Sequence, residues 1–156
     1  IEAMKLDNLC IASPDMGGAK RAHAYGKKLG AEVVICYKQR KKANQIDKMT
    51  VIGDVEGMNV ILVDDMVDTG GTLVKAAEML KEKGAKSVRA FCTHGVLSGP
   101  AYDRVGASAL EELVITDTIP QTKKNPKIRV ISVADMFANV MKNVHHNQSI
   151  SGHFIM

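Results

Sequence analysis

Nine consecutive residues, Asp64-Asp65-Met66-Val67-Asp68-Thr69-Gly70-Gly71-Thr72, combine three carboxylates, two hydroxyls and a glycine pair. Carboxylates suit sugar hydroxyls or a hydrated divalent cation. Gly70 and Gly71 allow the backbone to wrap closely around a phosphate, and Thr69 and Thr72 add hydroxyl donors. The group describes a ligand with a phosphate at one end and vicinal hydroxyls at the other. A plain helix cap requires only one Asp or Thr. The lysine of G-x-x-x-x-G-K-[ST] is absent, so this is not a Walker-type phosphate loop.

A second cluster, Ser13-Pro14-Asp15-Met16-Gly17-Gly18, repeats the same logic. It carries one acid and two glycines, as a binding loop for diphosphate or a metal would. Lys20 and Arg21 follow, either at this site or simply solvated. A third cluster runs from Lys38 to Lys48, where five of eleven residues are basic and Asp47 is the lone acid. Its periodicity is poor, which predicts an exposed loop.

The flanking residues must position these groups. Val60-Ile61-Leu62-Val63 suits a strand buried on both faces, ending at Asp64. Leu73 to Lys83 has helical composition and stops at Gly84. Leu9 to Ala12 is a short strand, and Ala19 to Leu29 a helix with Gly30 as its C-cap. Further strands are expected at Ala31–Tyr37, Thr50–Ile52, Ser87–Thr93, Glu112–Thr116 and Ile128–Ile131. A short helix is expected near Ala101–Arg104. A last helix should start at Ser132, with Asp135 three residues on, and run to about His145. Strands alternating with helices predict an α/β domain over residues 1–156: a mostly parallel sheet with helices on both faces. In such sheets ligands bind beyond the C-terminal strand ends, the edge from which all three clusters emerge.

Composition excludes several classes. A net charge of +4 gives no mandate for nucleic-acid binding, and no apolar run reaches the roughly 18 residues of a membrane helix. Cys10, Cys36 and Cys92 lie in apolar runs without metal or disulfide spacing, which suits small core residues in a reducing, cytoplasmic setting. His94 sits at a strand end beside Gly95, as a packed or ligand-contacting residue.

Taken together, Ser13-Pro14-Asp15-x-Gly17-Gly18, Lys38-x-Arg40, Asp64-Asp65-x-x-Asp68-Thr69-x-Gly71-Thr72, Thr93-His94-Gly95 and Ser98-Gly99-Pro100-Ala101 resemble class I phosphoribosyl-diphosphate (PRPP) synthetases, the ribose-phosphate diphosphokinases. Type I phosphoribosyltransferases share the acidic loop and the fold class, but not the other blocks in this order. Gln39 departs from the family, where a charged residue is common. The resemblance covers Asn8 to the tail and corresponds to the family's C-terminal domain, without the N-terminal domain that supplies a metal-binding His and the adenine pocket. It implies that 147–156 packs on that other domain and that this chain alone binds sugar phosphate without enzyme-like turnover.

The activity the resemblance implies is transfer of the diphosphoryl group of Mg-ATP to the C1 hydroxyl of ribose 5-phosphate, for nucleotide biosynthesis. Asp68, Thr69, Gly70, Gly71 and Thr72 would hold the 5-phosphate, and Asp64 and Asp65 the ribose hydroxyls. Asp15 would bind Mg2+, and with Gly17 and Gly18 the diphosphate of ATP. Lys38 and Arg40 would be catalytic. The family pattern also implies a homo-oligomer regulated by ADP and phosphate, with Ser98, Ser149 and Ser151 in segments resembling the regulatory region. The alternatives are a phosphoribosyltransferase that uses PRPP, for which no hood segment is evident, and a non-catalytic regulatory homologue, in which a damaged acidic or basic loop would be expected.

Overall fold

The structure, a computed structural model, describes residues 1–39 and 48–154. Seven strands form one sheet: β1 (Leu9–Ser13), β2 (Glu32–Gln39), β3 (Lys48–Ile52), β4 (Asn59–Val67), β5 (Ser87–Gly95), β6 (Glu112–Thr116) and β7 (Ile128–Ile131), in the order β3-β2-β1-β4-β5-β6-β7. All neighbours pair in parallel except β2 and β3, which are antiparallel. The helices are α1 (Ala19–Leu29), α2 (Gly71–Glu82), α3 (Ala101–Ala107) and α4 (Ala134–His145).

Parallel strands need crossovers, and the crossovers cover both faces. On one face Ile11, Ile61 and Val63 pack with Ala22 of α1. On the other, Cys10, Ala12, Val60 and Leu62 pack with Leu73, Ala76, Ala77 and Leu80 of α2. The four apolar residues of β4 that precede its acids are therefore all buried. Burying each such side chain contributes about 1.5–3 kcal/mol. All three cysteines are buried and free, and burial pushes their thiols up, to about 11 for Cys10 and about 12 for Cys36 and Cys92.

From β1 the chain winds outward to β2 and β3, then returns to lay β4 on the other side of β1. The loops after β1 and β4 thus diverge from neighbouring strands, and the gap between them is where such sheets bind ligands. Here β4 does not end at its acids. It continues through Asp64, Asp65 and Met66 to Val67, because β5 keeps pairing beside it: Asp64 with Cys92, Met66 with His94, Val67 with Gly95. α2 accordingly begins at Gly71, two residues earlier than its composition suggests, and α3 extends past Arg104 to Ala107.

The last helix differs from expectation at its start. α4 begins at Ala134, with Val133 rather than Ser132 at the N-cap. The Ser132 hydroxyl accepts from the Ala134 N–H at 3.2 Å, while Asp117 accepts from the Val133 N–H at 3.0 Å. No residue of α4 is buried, and Met136, Phe137, Met141 and Val144 are exposed. Among the described residues, no helix is long and apolar enough to cross a membrane.

Candidate active site

Gly70 opens α2 in the left-handed conformation, with φ 73°, which glycine adopts without a steric penalty. No side chain caps the helix start. The first-turn N–H groups therefore point out of the helix without an intrahelical acceptor, at the positive end of the helix dipole. Beside them lies a cavity of about 180 Å³ lined by Asp15, Asp64, Met66, Val67, Asp68 and the residues from Thr69 to Leu73. The structure thus brings Asp64, Asp68, Thr69, Gly70, Gly71, Thr72 and Asp15 to one cavity. Asp65 sits next to Asp64 outside that lining.

The β5–α3 connection and α3 hold the loop. The Ser98 hydroxyl donates to Asp68 Oδ1, and the Ser98 N–H to the Asp68 carbonyl at 3.1 Å. The carboxylate of Asp68 is thereby engaged, and what Asp68 leaves for an anion is main chain. Arg104, on α3, donates from Nη1 to the Thr69 carbonyl at 3.0 Å. It also lines a second cavity, of about 460 Å³, with Thr69, Gly71, Thr72, Val74, Lys75 and Glu78.

The acidic pair has a cation of its own. Arg21, in the first turn of α1, places Nη1 2.8 Å from Asp64 Oδ1 and Nη2 3.1 Å from Asp65 Oδ2. The Asp64 side chain is 24% exposed and that of Asp65 59%. Burial pushes the Asp64 carboxyl above its ordinary value and the neighbouring Asp65 carboxylate adds to this, against the bond from the Asp65 N–H and the pull of Arg21. Slight burial also acts upward on Asp65, but the bond shared with Asp64 and the Arg21 charge outweigh it and hold Asp65 low.

The first glycine loop is built differently. Asp15 Oδ1 accepts from the Gly18 N–H at 3.0 Å, and the Ser13 hydroxyl donates to the Asp15 carbonyl at 2.6 Å. Gly18 therefore gives its donor to Asp15, and neither Gly17 nor Gly18 lines the cavity beside α2. A Cβ on Gly18 would lie 2.5 Å from Ser13 Oγ, so the turn closes on itself too tightly for a side chain.

A divalent cation fits this edge by donor chemistry. Asp15 and Asp64 bring oxygen donors to one cavity. Magnesium is held by one or two carboxylates with water and substrate phosphates, rather than by a full protein cage. Among the described residues no three His, Cys, Asp or Glu side chains converge as such a cage would.

The basic cluster is only partly within view. Lys38 lies in β2, paired with Met49 of β3, so the strand runs past Tyr37, where the loop was expected to begin. β2 runs parallel to β1, and its C-terminal end reaches the same sheet edge as the glycine loops. Arg40 lies outside the described residues. His94 joins a polar cluster at that edge, its Nδ1 2.9 Å from Thr118 Oγ1, and Thr116 donates to the Thr93 carbonyl at 2.7 Å.

With this geometry in place, residues 39–155 match the model of the phosphoribosyl synthetase-associated domain. The chain belongs to that family. It is 54% identical over 155 residues to the ribose-phosphate pyrophosphokinase of Campylobacter jejuni, covering 99% of this chain and 50% of that protein. A crystal structure of phosphoribosylpyrophosphate synthetase from Mycobacterium smegmatis superposes with a TM-score of 0.82 at 37% identity, over 90% of this chain and 46% of that one. Adenine phosphoribosyltransferase from Thermoanaerobacter pseudethanolicus shares the fold, with a TM-score of 0.54 at 20% identity, over 73% and 72% of the two chains. The chain spans about half the length of the curated relatives it matches.

Within this synthetase-associated domain, the sequence does not single out Arg104, and it leaves Arg21 open between site and solvent. Arg104 needed the packing of α3 against the loop, which no local pattern encodes. Arg21 was more accessible. Once the loops after β1 and β4 are placed on adjacent strands, a cation in the first turn of α1 faces the acids of β4.

Proposed function

We propose that the chain forms the ribose-phosphate-binding half of a ribose-phosphate diphosphokinase. This enzyme passes the diphosphoryl group of Mg-ATP to the C1 hydroxyl of ribose 5-phosphate. The observation that carries the reading is the uncapped start of α2 facing Asp64 across one cavity. That cavity has donors for a phosphate at one end and an acceptor for sugar hydroxyls at the other. The identity of the chain to ribose-phosphate pyrophosphokinases supports it.

In this reading the main chain from Asp68 to Thr72, with the Thr69 and Thr72 hydroxyls, binds the 5-phosphate. Asp64 and Asp65 orient the ribose. Its C1 hydroxyl oxygen then attacks the β-phosphorus of ATP. The bond from that phosphorus to the α–β bridging oxygen breaks, AMP leaves with that oxygen, and the hydroxyl proton passes to solvent. Asp15 holds magnesium, which when bound would neutralise phosphate charge. Lys38 and Arg40 meet the charge that grows on the transferring oxygens, a role in positioning and electrostatics rather than covalent chemistry. Either residue changed to Ala in the full-length protein should lower kcat on the order of 100-fold while moving KM much less. A change in KM alone would give them a ground-state binding role instead.

The same reading makes ATP and ribose 5-phosphate the substrates of a cytoplasmic homo-oligomer, with ADP and phosphate as regulators. It also gives the exposed apolar residues of α4 and Phe154 in the tail a cover, the half of the longer protein that this chain does not span. The test is to incubate the full-length protein with Mg-ATP and ribose 5-phosphate and follow products by phosphorus NMR. PRPP and AMP should appear in equal amounts. No AMP, but consumption of PRPP on adding a purine or pyrimidine base, would make it a phosphoribosyltransferase.

A further inference from the structure

Arg21 is an odd residue for its position. A cation in the first turn of a helix opposes the helix dipole, and α1 carries no acid there to offset it. The compensation comes from another strand. One guanidinium bridges two successive carboxylates, with Nη1 on Asp64 and Nη2 on Asp65. Space is reserved for it: a Cβ on Gly18 would stand 3.3 Å from Arg21 Nη1.

The consequence lies in which oxygens remain. Asp64 Oδ1 accepts from both Arg21 and the Asp65 N–H, the latter at 2.9 Å. Asp65 Oδ1 accepts from the Met66 N–H at 2.9 Å, and Asp65 Oδ2 faces Arg21. Three of the four carboxylate oxygens are thus engaged. Asp64 Oδ2 has no protein donor among the described residues, and Asp64 is the member of the pair that lines the cavity.

We propose that Arg21 is a positioning residue for sugar recognition. Its guanidinium locks Asp64 against Asp65 so that Asp64 Oδ2 is the fixed acceptor for the ribose hydroxyls, while Asp65 serves as the second anchor of the fork. This rests on the ribose-phosphate reading above. Without the bridge, two adjacent like charges repel and both carboxylates regain their rotamers, so the acceptor is no longer held in one place. A lysine cannot replace the fork, because an ammonium is a point charge on a flexible stem and cannot span both groups in a plane.

The full-length protein, wild type and with Arg21→Ala or Arg21→Lys, is titrated by calorimetry with ribose 5-phosphate and with 2,3-dideoxyribose 5-phosphate, which lacks the hydroxyls at those two carbons. The wild type should prefer the ribose compound by roughly tenfold or more, the value of hydrogen bonds to a charged acceptor. Arg21→Ala should reduce that preference to about threefold or less, with dideoxy affinity nearly unchanged. Arg21→Lys should recover less than half of the lost preference. A preference as large in Arg21→Ala as in the wild type, an equal loss for both sugars, or full recovery by Lys overturns the proposal. If the Ala variant does not fold, the Lys variant decides, since an unchanged preference there also overturns it. A wild type that shows no preference between the sugars removes the ribose-phosphate reading itself, a result distinct from failure of the Arg21 role.

Discussion

The two glycine loops share a strand, an acid, a glycine pair and a helix, yet they are finished in opposite ways. After β1, Asp15 turns back and takes the Gly18 N–H, so that loop satisfies its own donor. After β4, Asp68 is drawn aside by Ser98, Gly70 turns left-handed, and the start of α2 is left open. The difference is which partner reaches the carboxylate first: its own chain in one loop, the neighbouring β5–α3 connection in the other. An open helix start receives an anion. Neither α1 nor α2 carries a side-chain cap, so what sets the first loop apart is the Asp15 oxygen it leaves over, which suits a cation.

Substitution at the two glycines should break this contrast most strongly. Gly70→Val forces a β-branched residue to φ 73°, at a cost on the order of 1–3 kcal/mol. It should also abolish ribose 5-phosphate binding measurable by calorimetry. Gly18→Ala brings a methyl against Ser13 Oγ and crowds Arg21. It should lower Tm by several degrees while leaving affinity for inorganic phosphate nearly unchanged. Equal loss of phosphate affinity in both variants would mean that both loops bind anions.

The acid of the closed loop allows a finer separation. Asp15→Asn retains an oxygen that can accept the Gly18 N–H but loses the charge. Asp15→Ala loses both. Only the Ala variant should be destabilised, by about 0.5–2 kcal/mol in a denaturant melt. Both should lose magnesium-dependent binding of ATP in the full-length protein. Retention of that binding in Asp15→Asn would argue against Asp15 as the metal ligand.

The effect of pH is smaller and separates the acidic pair of β4. A carboxyl raised in the fold, as Asp64 is, contributes stability that is fully present below the ordinary value of 3.8 and lost as pH rises through the raised value. Its hydroxyl-accepting form has the opposite dependence. Ribose 5-phosphate affinity should therefore begin to fall, on acidification, above the ordinary carboxylate range, and Asp64→Asn should remove that part of the profile. Smallest of all is the effect at Asp117, whose carboxyl the Ser132 hydroxyl and Val133 N–H hold low. The stability it contributes is present above the ordinary carboxylate value and lost as pH falls through the lowered one. Asp117→Ala should flatten the acid side of a Tm-versus-pH curve slightly.

The strands were legible because buried parallel strands are nearly continuous apolar runs, as Val60 to Val63 illustrates. That Asp64, Asp68 and the residues from Thr69 to Thr72 gather at one cavity was legible because they stand in one short stretch between a strand and a helix. What the sequence hid were outcomes of pairing between distant segments. β4 extends through its acids because β5 lies beside it, and Gly18 loses its donor because Asp15 folds back. Val133 takes the N-cap of α4 with support from Asp117, sixteen residues away. A local reading assigns a donor or a cap by residue type, whereas the fold assigns it by which partner arrives.

The ribose phosphate belongs, in this reading, at the α2 start and not in the loop after β1. Amide proton and nitrogen NMR shifts followed during titration with ribose 5-phosphate test this directly. The amides of Gly70, Gly71, Thr72 and Leu73 should move together with one affinity, while the Gly18 amide, already bonded to Asp15, should remain nearly still. Movement centred on Gly17 and Gly18, with residues 70–73 unaffected, would contradict the account.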